Sequence, residues 1–124
     1  MGIPVGNSLP YAQILTNAPL DESKKADICK AVSRILGQCI GKPEDYVMVS
    51  CQSATMCMAG DATAPAAFVT VKSIGGLNPR VNARISEQIG NALIAQCSGL
   101  TGERIYMTFT NEQGSNWGWN LATF

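Results

Sequence analysis

The sequence predicts an α+β fold: two β-α-β units forming one four-stranded sheet, with two helices on one face. Three observations predict it. Two stretches carry apolar residues at spacings of three and four, each opened by a capping residue and closed near a glycine. Short β-prone runs flank both stretches. The order is strand, helix, strand, and then the same again. The chain has 124 residues, enough for one core, and its 46% hydrophobic and 15% charged content argues against disorder.

The elements follow in order. Tyr11 to Thr16 is a short mixed run ended by Asn17-Ala18-Pro19 and reads as a strand. Asp21 is the N-cap of the first helix, and Glu22 adds negative charge to its first turn. Ile28, Val32, Ile35, Leu36 and Cys39 share one face of that helix, and Gly41 stops it just before Pro43. Tyr46 to Cys51 reads as the second strand. Residues 52–65 read as a loop with room for a short strand. Ala67 to Ser73 reads as a strand buried on both faces. Gly75-Gly76 breaks the chain, Asn78 caps the second helix, and Pro79 occupies its first turn. Val81, Ile85, Ile89, Leu93 and Cys97, widened by Ala92, form its apolar stripe, and Gly99 ends it. Arg104 to Thr110 reads as the last strand. The tail carries Trp117, Trp119 and Phe124.

Composition narrows the chemistry. Net charge is zero and no basic block occurs, so neither nucleic acid nor an anionic membrane surface is expected as a partner. No apolar run reaches the ~20 residues of a membrane span. Residues 1–10 do not read as a secretory signal, so cytoplasmic synthesis is the default. The five cysteines, Cys29, Cys39, Cys51, Cys57 and Cys97, form no C-x-x-C pair, and histidine is absent. No zinc site is expected, and no other metal or cofactor. The cysteines read as buried, reduced, small hydrophobes, with Cys57 set apart in a loop. Without histidine, any general base near neutral pH is a shifted carboxylate, lysine or thiol, or an α-amino group.

Two helices cover only one face of a four-stranded sheet, so the other face calls for a partner, most simply another copy of the chain. Trp117 and Trp119 would share one face if they lay in a strand, suiting either an aromatic pocket or subunit packing. Phe124 reads as interface packing. Lys42, past a helix end, suits either a solvated complement to the helix dipole or a contact to a substrate carboxylate. Ile74, before Gly75-Gly76, is either a plain connection or a backbone N–H offered to an anion. Tyr106 is either a core aromatic or a hydroxyl presented across a subunit boundary.

Five groups of residues carry a resemblance: Pro10-Tyr11 with Thr16-Asn17; Gly41-Lys42-Pro43 with Tyr46-Val47-Met48; Ser73-Ile74-Gly75-Gly76; Glu103-Arg104-Ile105-Tyr106; and Trp117-Gly118-Trp119-Asn120 with Thr123-Phe124. In this order they resemble the family of macrophage migration inhibitory factor (MIF) and D-dopachrome tautomerase. The resemblance implies a homotrimer with sites between subunits. It implies keto-enol tautomerase activity on a small aromatic 2-keto acid such as phenylpyruvate, or on dopachrome-like compounds. It implies an N-terminal proline base, here Pro10, with Lys42 and Tyr106 as further catalytic residues. Ile74 (through its backbone), Thr108, Trp117 and Trp119 are then the substrate-binding residues. The C-x-x-C found in some members would fall near residues 66–69 and is absent. The alternative function is a cytokine-like signalling protein with little native catalysis, exported without a signal peptide and read by a cell-surface receptor. A bacterial-type tautomerase fits less well, since those chains lack the terminal Trp-Asn-x-x-Thr-Phe pattern.

One departure stands out. Pro10 follows Leu9, so residues 1–9 read as an extension and residues 10–124 as the domain. Within a peptide bond the proline nitrogen is an amide with no basic lone pair. Catalysis through Pro10 therefore requires that the extension be removed.

Overall fold

A computed structural model describes residues 9–124; the expected extension, apart from Leu9, lies outside them. Strand β1 (Tyr11–Thr16) leads to helix α1 (Glu22–Ile40), then β2 (Met48–Ser53) and β3 (Ala67–Ser73). Helix α2 (Pro79–Gln96), β4 (Ile105–Asn111) and a terminal hairpin of β5 (Gly118–Trp119) and β6 (Ala122–Thr123) complete it. The main sheet has the order β2-β1-β3-β4. Strands β1 and β2 are parallel, as are β3 and β4, and the two units meet where β1 pairs antiparallel with β3. The expected pair of β-α-β units is therefore present.

The caps act as the residue types dictate. The Asp21 carboxylate accepts from the Lys24 backbone N–H at 2.8 Å, and the Asn78 side chain accepts from that of Val81 at 2.9 Å. Gly41 closes α1 with φ at 79°, a left-handed value that suits glycine. Ile28, Val32, Leu36 and Cys39 of α1 and Ile85, Ile89 and Leu93 of α2 are buried against Ala12, Ile14, Val69 and Val71 of the sheet. Burying each large aliphatic side chain contributes about 1.5–3 kcal/mol before entropy is counted.

Alternate residues point to the opposite face. Within the chain that face is open. Phe68 and Thr70 are half-buried and Lys72 is exposed, so β3 is covered on one side only, not on both as its composition suggests. Two strand boundaries also shift. The second strand starts at Met48 rather than Tyr46, because Glu44–Tyr46 form a 3₁₀ turn closed by Val47 N–H to the Glu44 carbonyl at 2.9 Å. The last strand starts at Ile105, because Arg104 ends the 3₁₀ turn Gly102–Arg104. Helix α2 ends at Gln96 with Cys97 as its cap, and Gly99 serves the turn beyond at φ 81°.

Residues 54–66 form a long loop whose carbonyls need donors. The Arg104 guanidinium supplies them: Nε to the Pro65 carbonyl at 2.8 Å, Nη1 to Met58 at 3.2 Å, and Nη2 to Asp61 and Ala64 at 3.1 and 3.2 Å. From the other side, Thr16 Oγ1 donates to the Ala66 carbonyl at 2.8 Å, and Asn17 accepts from Ala66 N–H at 2.8 Å. The Thr16-Asn17 pair is thus an anchor for this loop. Asp61 closes the loop tip, its carboxylate accepting from the Thr63 hydroxyl and N–H, both at 2.7 Å, and from the Ala64 N–H at 3.2 Å.

Two outcomes follow for the loop. Arg104→Met keeps the side-chain stem but removes the four bonds, and chemical denaturation should show a loss of about 2 kcal/mol. The hydrogen bonds from Thr63 and then Ala64 hold the Asp61 carboxyl down at about 2. An unfolded aspartate titrates near ~3.9, so the stabilisation is whole above that pH and is lost as pH falls toward ~2. Melting followed across this window should show a decline that Asp61→Asn flattens; an unchanged decline would contradict the assignment.

Candidate active site

Pro10 is fully buried at the head of β1. Its carbonyl accepts from the Met48 N–H at 3.0 Å, so the first bond between β1 and β2 fixes its position. Tyr11 lies beside Met48 in register, and its hydroxyl is 2.8 Å from Ser50 Oγ. Tyr46 arrives from the 3₁₀ turn that leads into β2. The tail then folds over this end of the sheet. A 3₁₀ turn, Gly114–Asn116, presents Trp117, and the β5–β6 hairpin presents Trp119.

These residues enclose a cavity of about 320 Å³ lined by Leu9, Pro10, Tyr11, Tyr46, Met48, Trp117, Gly118 and Trp119. Its walls are mainly apolar, which suits an aromatic ligand. The Trp119 ring meets Tyr46 edge-on, with centroids 5.7 Å apart at 79°, and stacks on Phe124 at 6.2 Å and 11°. Phe124 therefore packs on Trp119 within its own chain. Gly114 permits this closure: a β-carbon there would stand 2.9 Å from Phe124 Cβ.

Of the seven site residues expected, Pro10, Trp117 and Trp119 come together in this cavity. Lys42 is exposed just past α1, on the segment that leads through Pro43 to Tyr46 and Met48. Ile74 directly follows β3, whose Lys72 pairs with Tyr11, so it too lies at the Pro10 end of the sheet. Neither lines the cavity within one chain. Tyr106 stands elsewhere. It is exposed near the start of β4, pairs with Phe68, and borders a small cleft with Met56, Cys57, Met58 and Arg104. Thr108 pairs with Thr70 on the open face. The Tyr11 level of the sheet corresponds to Thr110 on β4. Tyr106 therefore lies roughly 13 Å along the sheet and about 10 Å across it from the head of β1.

The other five lining residues, Leu9, Tyr11, Tyr46, Met48 and Gly118, are not among the site residues expected from the sequence. Tyr46 and Met48 were visible in the Tyr46-Val47-Met48 motif but read as ordinary strand residues. Their role depends on β1–β2 pairing, which periodicity does not report. None of the cysteines lines the cavity at Pro10, although Cys57 borders the cleft beside Tyr106. Cys39 and Cys97 are buried, Cys29 and Cys51 half-buried, Cys57 exposed, and all five are free. Burial raises the Cys29, Cys39 and Cys97 thiols and, with Cys29 and Cys97 nearby, pushes Cys51 up to about 11. Those four are poor nucleophiles near neutral pH.

A sheet of paired β-α-β units with a proline-headed, tryptophan-walled cavity defines a recognisable class. Residues 9–124 match the family model for macrophage migration inhibitory factor (MIF). The chain is 32% identical to the MIF homolog of Trichuris trichiura over 116 residues, covering 94% of this chain and 100% of that one. It superposes on the crystal structure of a MIF-like protein from Entamoeba histolytica with a TM-score of 0.89 at 31% identity, covering 94% of this chain and 99% of that one. The MIF of Toxoplasma gondii gives a TM-score of 0.85 at 30% identity, covering 92% and 99%. The chain belongs to the MIF family.

The hairpin that carries Trp119 contains a local strain. Its turn residues Asn120 and Leu121 have φ of 52° and 68°. A two-residue turn of this kind favours Asn and Gly, whereas a leucine there is strained. The Leu121 side chain is wholly exposed, so nothing offsets that strain through packing. Leu121→Gly should raise stability by about 0.5–1 kcal/mol in denaturant titration, after allowing for the entropy of the added glycine. A loss would show that the leucine has a packing role.

Proposed function

We propose that the protein is a keto-enol tautomerase of the MIF type, acting on phenylpyruvate or dopachrome-like substrates with Pro10 as base. The observation that carries this reading is the placement of Pro10, fully buried at a mainly apolar cavity beside Trp117 and Trp119. Tautomerisation removes a proton from carbon and stabilises charge on the neighbouring oxygen. A free prolyl amine in apolar surroundings is disfavoured in its charged form, so its pKa falls toward neutrality and it can accept that proton. In this reading Lys42 holds the substrate carboxylate and the Ile74 N–H adds a donor. Tyr106 and Thr108 come from a neighbouring copy in a homotrimer, since within one chain Tyr106 lies at the far end of the sheet.

The Leu9–Pro10 peptide bond must be opened first. In this reading residues 1–9 are an extension, and hydrolysis after Leu9 converts an amide nitrogen into a secondary amine. Leu9 is itself buried and lines the cavity, so its departure also enlarges the space for substrate. The protein is taken to work in the cytoplasm.

A second reading rests on that same bond. With the bond intact, Pro10 has no basic nitrogen, and the protein acts as a cytokine-like partner of a cell-surface receptor after export without a signal peptide. The mature amino terminus separates the two, and intact-mass measurement of the natural protein gives it directly.

The enzyme reading has a simple test. A chain beginning at Pro10 should isomerise phenylpyruvate, the chain beginning at Met1 should not, and Pro10→Gly should lower the rate by about 10²-fold or more. Equal activity in the Met1 and Pro10 chains would exclude Pro10 as the base.

A further inference from the structure

We propose that Ser73 is a positioning residue for Pro10: its buried hydroxyl accepts a hydrogen bond from the proline nitrogen once that nitrogen is free. This rests on the tautomerase reading and deepens it.

Ser73 is the last residue of β3 and is 0% exposed. Its Oγ has no hydrogen-bond partner among the described residues. A buried hydroxyl without a partner is costly, and such groups in folded proteins call for an explanation. The sheet register supplies one. Tyr11 pairs with Lys72 across the antiparallel β1–β3 junction. One step further along that register, Pro10 stands opposite Ser73. Residues directly opposed across two strands share a face, and here it is the buried one that also holds Ala12 and Val71.

The bonding pattern brings this pair close. The Pro10 carbonyl is turned to β2, where it accepts from Met48 N–H, and the Ser73 carbonyl accepts from Glu112 N–H at 2.8 Å. Each backbone is thus turned away from the other. Pro10 and Ser73 form a non-hydrogen-bonded pair, the type with Cα atoms only about 4.5 Å apart. Joined to Leu9, the Pro10 nitrogen is a tertiary amide with no hydrogen to donate. Freed, it is a secondary amine with one N–H and one lone pair. A bond from that N–H to Ser73 Oγ completes the hydroxyl and leaves the lone pair for the carbon acid. The same bond would limit pucker and rotation of the ring, so the base is aimed before substrate arrives.

The test compares Ser73→Ala in two backgrounds, the chain beginning at Met1 and the chain beginning at Pro10. In the Met1 chain the substitution removes a hydroxyl with no partner among the described residues, so the melting temperature should stay the same or rise. In the Pro10 chain it removes a hydrogen bond, and the melting temperature should fall by about 3–5 °C. For phenylpyruvate, kcat of the Pro10 chain should fall about tenfold while KM stays within about twofold. The same temperature change in both backgrounds would overturn the proposal, as would a change in KM with kcat intact. If the unsubstituted Pro10 chain proves inactive but the difference between backgrounds persists, the hydrogen bond stands and the tautomerase reading fails.

Discussion

The structure depends on the antiparallel pairing of β1 with β3. Each β-α-β unit is internally parallel, and this central junction is the strand pairing that joins them. Ile14 and Val69, a facing pair within it, are both fully buried beneath the helices. A one-residue slip would turn Ala12, Ile14 and Thr16 out to the open face and bring Gln13 inside, so burial fixes the register. That register decides where the chemistry sits. It gathers the head of β1, the start of β2 and the end of β3 at one end of the sheet, and the tail hairpin covers the cavity formed there. It leaves the start of β4, with Tyr106 and the loop held by Arg104, at the other.

This arrangement explains why one chain makes a cavity but not the whole expected site. Pro10 and the aromatic walls belong to the β1 end, while the exposed phenol of Tyr106 points from the open face of β4. Two helices cannot cover both sides of the sheet, and in the proposed homotrimer a neighbouring copy both covers the open face and supplies the phenol. Metal chemistry is not needed in this scheme, since proton transfer and charge stabilisation can be supplied by an amine, a lysine and backbone donors.

Much of the fold was legible because it is written locally. Asp21 and Asn78 cap helices through their own side chains, and Gly41 ends one through its own φ, so sequence and structure coincide at those points. Boundaries shifted where local preference competed with a longer-range demand. Tyr46 is β-prone, yet Pro43 and the following 3₁₀ turn delay the strand until Met48 can bond the Pro10 carbonyl. Arg104 suits a strand, yet its guanidinium is committed to four loop carbonyls. Within the site, Trp117 and Trp119 were recognisable from composition and motif. Tyr46 and Met48 were not, since only the β1–β2 register makes them neighbours of Pro10, and Tyr11, next to Pro10 in the chain, reads as an ordinary strand residue. The stacking of Phe124 on Trp119 was not legible either, because a two-residue turn containing an unfavourable leucine brings the two rings together.

The central claim is that base and phenol lie too far apart in one chain to share a site, so that the working site spans two. Complementation tests it most directly. Chains beginning at Pro10 are prepared with either Pro10→Gly or Tyr106→Ala, then mixed under conditions shown by mass spectrometry to exchange subunits. The account predicts that each variant alone is nearly inactive on phenylpyruvate and that the mixture recovers about a quarter of the unsubstituted rate, from sites pairing an intact proline with an intact neighbouring tyrosine. A verified mixed assembly with no recovery, or a Tyr106→Ala chain with full activity, would contradict it.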